Sequence, residues 1–404
     1  MPSSSKKRPS EKSASHKKKS RKNAPSQKQT EKKLSADEKS TENKKSADKK
    51  SPADQPLKGK ALDDAIRDVD ALFEFAGLVR SLRGKAGAKP AGIPQDRKTP
   101  EELNRPASEP VVAANGVQWL PVPGWEKYPW LQAGFSTRRG GVSQTYCAEG
   151  APGELNVQFT EEDEPGNTVA NRRLLAEAVS GNAETPLIPL KQIHSNLVRR
   201  ATAADATRPR PLKADGQFTA EPGILLASMT ADCIPVLVAD RKKKVVAAFH
   251  AGWKGTLKRI VEQGVGRLRL EFGSRPEDLI AAIGPGVGPC CYSVGEELRG
   301  EFESQFAYAD ELFHEVYDSH VVRTKYPLLF LTQRAPGHSP IGPSLNLDLV
   351  EANRRQLLDA GLKPKAIQVI GGCTNCRQDL FFSHRGSQGR AGRMMAVIGI
   401  AAEG

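Results

Sequence analysis

Three residues of this chain combine type and position in a way that suits metal or thiolate chemistry. Cys233 follows the apolar run "ILLASMTAD", His250 closes "VVAAFH", and His194 follows the apolar start of "LKQIHSN". Imidazole and thiolate are good donors for a borderline-soft ion such as Zn²⁺, and three protein ligands leave the fourth tetrahedral position for water or substrate. The same cysteine and histidine could serve instead as nucleophile and base. Spacing does not choose: the intervals match no compact metal motif, and the ordinary role of a buried histidine is one satisfied hydrogen bond. Gly252 and Gly255, around Trp253, would let a ligand approach the backbone closely.

The elements that must hold these residues are legible as apolar runs. "GILLASM", "PVLVA", "KVVAAF", "DLIAAIG", "AIQVIG" and "MMAVIGI" read as strands, and 167–180, 256–272, 294–306 and 347–360 read as helices. Strands alternating with helices favour an α/β or α+β sandwich over an all-β fold. Cys233 and His250 then stand at strand ends beside glycine-rich turns, where such folds usually build sites.

The other cysteines read differently. Cys147, Cys290, Cys291, Cys373 and Cys376 are expected to be buried thiols packed as small hydrophobes. Cys373-Thr-Asn-Cys376 is a C-x-x-C that could be redox-active or half of a zinc site, but no second C-x-x-C accompanies it.

The net charge of +13 comes from 60 Lys+Arg against 47 Asp+Glu, and nearly all of it lies in residues 1–60, with 19 basic and 7 acidic residues. That tail has too few apolar residues to offset the entropy of ordering, so it reads as disordered. It is either a solubilising extension or an arm for nucleic acid or another polyanion. Residues 61–84 carry apolar positions at helical spacing, 85–110 are a Pro-rich linker, and 111–404 form the folded domain. No apolar h-region follows the basic start, and no run approaches a membrane span, so the chain reads as cytoplasmic.

Eight stretches then occur in the order of one family: "FSTRRGGVS", "LKQIHSN", "ADGQFT", "TADCIPVLVAD", "FHAGWKGTLKRI", "AAIGPGVGPCCYSVGEEL", "LNLDLVEANRRQLLDAGL" and "CTNCRQDLFFSHRGSQGRAGRMMAVIGI". Across roughly residues 116–401 the chain resembles the YfiH-like proteins, purine nucleoside phosphorylases of Cys-His-His type formerly labelled multicopper polyphenol oxidases or laccase-domain proteins. The resemblance implies a four-layer α/β/β/α sandwich holding zinc on His194, Cys233 and His250. It implies phosphorolysis of adenosine, inosine, guanosine and methylthioadenosine, with deamination of adenosine as a second activity. Purine nucleosides and inorganic phosphate are then the partners.

Other roles follow from residue chemistry within those motifs. Arg138 is the candidate phosphate or substrate clamp, because guanidinium binds phosphate oxygens in a fork. Asp232 is the candidate proton donor or orienting group beside Cys233, and Asn156 matches a family asparagine lining the pocket. Lys254 stands where the family carries arginine, keeping the charge and losing the fork. The stretch "VSQTYCAEGAPGELNVQF" is longer than the family's usual pattern, which affects the register around Asn156. The alternatives are a copper-dependent polyphenol oxidase, with Cu²⁺ in place of zinc, and a cysteine hydrolase or deamidase using Cys233 and His250.

Overall fold

The structure, a computed structural model, describes residues 98–317 and 344–402. The basic tail, the amphipathic helix expected over 61–84 and the linker up to residue 97 lie outside the described residues. In chain order the strands are β1 (Val111–Val112), β2 (Gln118–Pro121), β3 (Leu131–Ser136), β4 (Arg139–Ser143), β5 (Leu187–Ile188), β6 (Val198–Arg200), β7 (Gly216–Thr219) and β8 (Leu225–Thr230). They continue with β9 (Ile234–Asp240), β10 (Val245–Ala251), β11 (Leu279–Ile283), β12 (Ser293–Val294), β13 (Phe313–Val316), β14 (Ser344–Leu347), β15 (Ile367–Val369) and β16 (Met394–Ile400). The principal helices are α1 (Pro165–Ser180), α2 (Trp253–Leu257), α3 (Ile260–Phe272), α4 (Glu296–Glu303) and α5 (Leu349–Asp359).

Two six-stranded sheets carry the fold, with strand orders β1-β2-β3-β16-β8-β5 and β15-β11-β9-β10-β7-β6. The alternation along β10 shows how they stack. Val246 and Ala248 join a core with Leu226 and Ile398 of the other sheet, whereas Val245, Ala247 and Phe249 face Val261, Val265 and Leu268 of α3 and Val350 of α5. On the far side of the first sheet, Leu175 of α1 packs on Ala227, Met395 and Val397. Helix, sheet, sheet and helix make the expected four layers.

This layering explains which elements the sequence announces. Every residue of β9, β10, β11 and β16 is buried, because both faces of an inner strand are covered, and such strands read as unbroken apolar runs. β2 is only four residues long and mostly half-buried, and β4 is partly exposed with one aliphatic residue, so the apolar-run reading passes over them. The stretch read as one helix over 256–272 is two, because Arg259 adopts φ 57° between α2 and α3. The stretch read over 294–306 shortens to α4.

The boundary drawn at residue 111 lies too late. The chain already packs from Lys98, through a turn at Pro100–Leu103 capped by Thr99. Leu103 is buried, Arg105 pairs with Asp348 at 2.9 Å, and the Ser108 hydroxyl accepts from the Gly371 amide. Proline-rich composition resembles a linker whether or not the segment finds a groove to lie in.

Candidate metal centre

Strand register, not sequence spacing, assembles the three candidate ligands. In the β9–β10 hairpin His250 faces Pro235 and Ala251 faces Ile234, so Cys233, just before β9, sits beside the end of β10. On the other flank β7 pairs with β10, Phe249 opposite Gly216, which places Asp215 next to His250. Beyond it β6 runs parallel to β7, with Val198 opposite Gly216, and the loop entering β6 carries His194 to the same edge. One ligand atom from each of His194, Cys233 and His250 lies within 4.8 Å of the other two. The two imidazole rings are 5.1 Å apart and inclined at 72°.

A hub that sequence reading missed organises this edge. Asp215, fully buried, accepts from the amides of Ile193, His194 and Ser195, from the Ser195 hydroxyl at 2.7 Å, and lies 2.9 Å from His250 Nδ1. The carboxylate holds the proton on Nδ1 and leaves Nε2 as the donor toward Cys233 and His194. It also fixes His194 at φ 56°, a left-handed conformation uncommon outside glycine. Asp215 stood inside the quoted motif "ADGQFT"; an acidic residue immediately before a buried strand was the available signal.

Electrostatics favour a charged pair in the metal-free protein. Burial opposes ionisation of Cys233, but the His250 charge and hydrogen bonds from both histidines outweigh it and bring the thiol down to about 6. Burial also opposes charge on His250, yet Cys233 and Asp215 push it up to about 9. Between those values the pair is thiolate and imidazolium. A metal needs the Nε2 lone pair, so zinc uptake displaces about one proton from this Cys233–His250 pair between pH 6 and 9, and more below pH 6, where Cys233 must also be deprotonated. Affinity is therefore expected to fall as pH falls. Calorimetric titration in buffers of different ionisation enthalpy reads the proton count, and uptake without proton release at pH 7.5 contradicts it.

The donor set fits a zinc ion. Bonds of about 2.0–2.3 Å put tetrahedral ligand atoms roughly 3.3–3.8 Å apart, compatible with three atoms that all lie within 4.8 Å of one another. Among the described residues no fourth His, Cys, Asp or Glu completes the group, which is the arrangement of a site open to substrate. The backbone leaves room for it at Gly252, where a Cβ would lie 2.9 Å from Cys233 Sγ and 3.2 Å from His194 Cδ2. Gly252→Ala is expected to push these ligands apart and weaken zinc affinity by about tenfold or more, read by competition with a chromogenic chelator. Unchanged affinity would show that the ligands have slack.

The other sequence-predicted residues lie around this centre in different states. Asp232, at φ 91°, directs its carboxylate away from open space: Oδ1 accepts from Thr374 and Ser383 hydroxyls at 2.6 and 2.7 Å, and Oδ2 from the Arg385 amide at 2.7 Å. It ties Cys233 to the loop 373–385. Arg138 spends its fork on the Gln378 and Tyr146 carbonyls and on Glu154 at 2.8 Å, with its guanidinium over the Phe382 ring. Asn156 is fully buried, donating to Asp163 and the Gln158 carbonyl and accepting from the Gln158 and Arg393 amides. The Asn156 amide and the two terminal guanidinium nitrogens of Arg138 are engaged within the protein. Lys254, by contrast, is exposed at the start of α2, two residues from Gly252, and among the described residues forms no ion pair.

Two further side chains belong to the neighbourhood. Tyr292 is half-buried, and burial with the charges of Cys233 and Asp232 pushes its phenol up to about 12, against the pull of Arg385. Arg385 is exposed, stacks over the Tyr292 ring at 5.0 Å, and forms no ion pair among the described residues. Both stand in quoted motifs, "GPCCYSVGEEL" and "FFSHRGSQGR", without local features that mark them.

This fold and this cluster have counterparts. Residues 132–401 match the family of multi-copper polyphenol oxidoreductase laccase proteins, and the chain belongs to that YfiH-like, laccase-domain family. It is 34% identical over 274 residues to the purine nucleoside phosphorylase YlmD of Bacillus subtilis, covering 66% of this chain and 88% of that protein. It is 31% identical over 281 residues to the purine nucleoside phosphorylase YfiH of Escherichia coli, covering 69% and 98%. The crystal structure of a hypothetical protein YfiH from Bacillus licheniformis superposes with TM-score 0.58 at 29% identity, covering 72% of this chain and 98% of that one.

Proposed function

We propose that the chain is a zinc-dependent purine nucleoside phosphorylase, cleaving adenosine, inosine, guanosine and methylthioadenosine with phosphate, and that it also deaminates adenosine. The observation that carries this reading is the convergence of His194, Cys233 and His250 with no fourth protein ligand among the described residues. The similarity to purine nucleoside phosphorylases supplies the substrate class. Bound there, zinc would supply a Lewis acid that stabilises charge developing at its open position.

The protein's own residues divide the remaining work. Asp215 keeps the proton on His250 Nδ1 and so sets the ring's orientation. Phosphorolysis passes through an oxocarbenium-like sugar, so it needs phosphate held beside C1′ and a stabilised leaving base. Lys254 and Arg385 supply cations without ion-pair partners among the described residues to hold phosphate, a task for which Arg138, with its fork engaged by Glu154, is less available. Tyr292, protonated at neutral pH, can donate a hydrogen bond to the base or sugar. Arg138 and Asn156 then act from behind, holding the walls formed by residues 378–382 and 392–393.

A second reading has one specific observation in its favour: Cys233, His250 and Asp215 also form a nucleophile–base–orienter chain with a depressed thiol. The copper oxidase reading has less, since the described residues offer only one histidine-containing cluster. Chromatography of adenosine incubated with phosphate, with zinc-loaded and metal-stripped protein, separates the three. Release of adenine and pentose 1-phosphate only with zinc supports the proposal. Turnover by metal-stripped protein with a trapped adduct at Cys233 favours the thiol enzyme. Oxidation of a phenol with no nucleoside consumed favours the oxidase.

A further inference from the structure

Four of the five remaining cysteines do not lie scattered in the core. Cys290, Cys291, Cys373 and Cys376 bring their sulfurs within 4.8 Å of one another, although 81 residues lie between Cys291 and Cys373. Cys290 Sγ is 3.5 Å and Cys291 Sγ 3.4 Å from Cys376 Sγ. A disulfide needs sulfurs at about 2.05 Å, and all four thiols are free. A zinc tetrathiolate, with Zn–S of about 2.3 Å, has sulfur–sulfur edges of roughly 3.8 Å. The separations match that tetrahedron and exceed any bridge.

We propose that these four cysteines form a second, structural zinc site, closed by four thiolates. Zinc entry displaces the thiol protons to solvent, and four sulfur ligands leave no position for a substrate. The surroundings suit such a centre. The Gly288 amide donates to Cys373 Sγ at 3.3 Å, the type of contact that steadies a metal thiolate. Cys290 and Cys373 are buried, and the exposed Cys376 gives an entry path. Without an ion, the satellite core around Leu103, Val287 and Val316 is small, and two loops without regular ladders must hold themselves together.

The site also explains how the candidate active edge stays in place. The Thr374 amide donates to the Gly286 carbonyl, the Val287 amide to the Asp232 carbonyl, and the Thr374 hydroxyl to Asp232 Oδ1. The tetrathiolate thus clamps the loops 286–292 and 372–377 directly behind Asp232 and Cys233. The single C-x-x-C offered half of such a site and hid its partner, because the other half is an adjacent pair rather than a second C-x-x-C.

Elemental analysis and native mass measurement on the full chain, purified without chelator, test the assignment. Two zinc ions per chain are expected, falling to one in C376S and, separately, to one in C233A. Because C233A empties the other centre, failure of the two readings is distinguishable. Cobalt substitution of C233A should give the intense sulfur-to-metal charge-transfer bands of a thiolate-rich tetrahedral centre. A C376S variant that keeps the wild-type zinc content overturns the proposal. So does iron with labile sulfide, or an intact mass lowered by the hydrogens lost to disulfides. Should C376S fold poorly, the zinc content and cobalt spectrum of C233A decide alone.

Discussion

Alanine at Cys233 is expected to empty the histidine–cysteine centre and to lower phosphorolysis by about a thousandfold, leaving the fold intact. The magnitude follows from losing a Lewis acid worth several kcal/mol of transition-state stabilisation, at 1.36 kcal/mol per decade of rate. Two imidazoles remain, but His250 is held by Asp215 and His194 is exposed on a loop, so the pair grips an ion far less well. The fold should survive because the thiol lies at a strand end, outside the packed cores of β9 and β10. The checks are zinc content, initial rates with inosine and phosphate, and an unchanged circular dichroism spectrum. Activity within tenfold of wild type would remove the metal from the reaction. Cys233→Ser discriminates further: a hydroxyl is a weaker zinc ligand, and the variant should recover little.

Asp215→Asn is expected to weaken zinc binding by about 10- to 100-fold and to reduce activity in step, with partial recovery at high zinc. The amide is isosteric, but it cannot accept all five donors that now converge on the carboxylate. One of its atoms is itself a donor facing amides or the imidazole, which frees the His250 ring to change tautomer and the 193–195 loop to move. Zinc affinity by chelator competition, with kcat at saturating metal, separates positioning from chemistry. A variant with normal affinity would mean that His250 is oriented by packing alone. The same carboxylate gives the metal-free protein a pH signature. Burial opposes its charge, yet hydrogen bonds from His250 and Ser195 lower Asp215 to about 2. A depressed acid stabilises the fold above its unfolded value of 3.8 and loses that contribution as pH falls toward 2. The loss amounts to about 2 kcal/mol and should be missing from the acid unfolding curve of Asp215→Asn.

Roles inside the site were less legible than its members. Arg138 and Arg385 each stand in a glycine-rich quoted motif, and nothing local distinguishes them. The fold supplies the difference: Glu154 and two carbonyls surround one guanidinium, while the other is exposed and stacks on the Tyr292 ring. Asn156 illustrates the same limit. A buried-type amide beside a loop suits a pocket wall or a structural joint equally well, and here it joins residues 156–163 to Arg393, just before β16.

The central strands, their layered class and the segregation of basic charge into residues 1–60 could be read from the residues alone, and the ordered motifs nominated His194, Cys233 and His250 as candidate ligands. Burial leaves that trace because a strand covered on both faces must be apolar throughout. Long-range pairing is what makes Asp215 the hub and brings the cysteine pairs 290–291 and 373–376 together. Such convergence depends on which strands and loops are neighbours and in what register, and a polar residue's type does not encode the partner that long-range pairing brings to it.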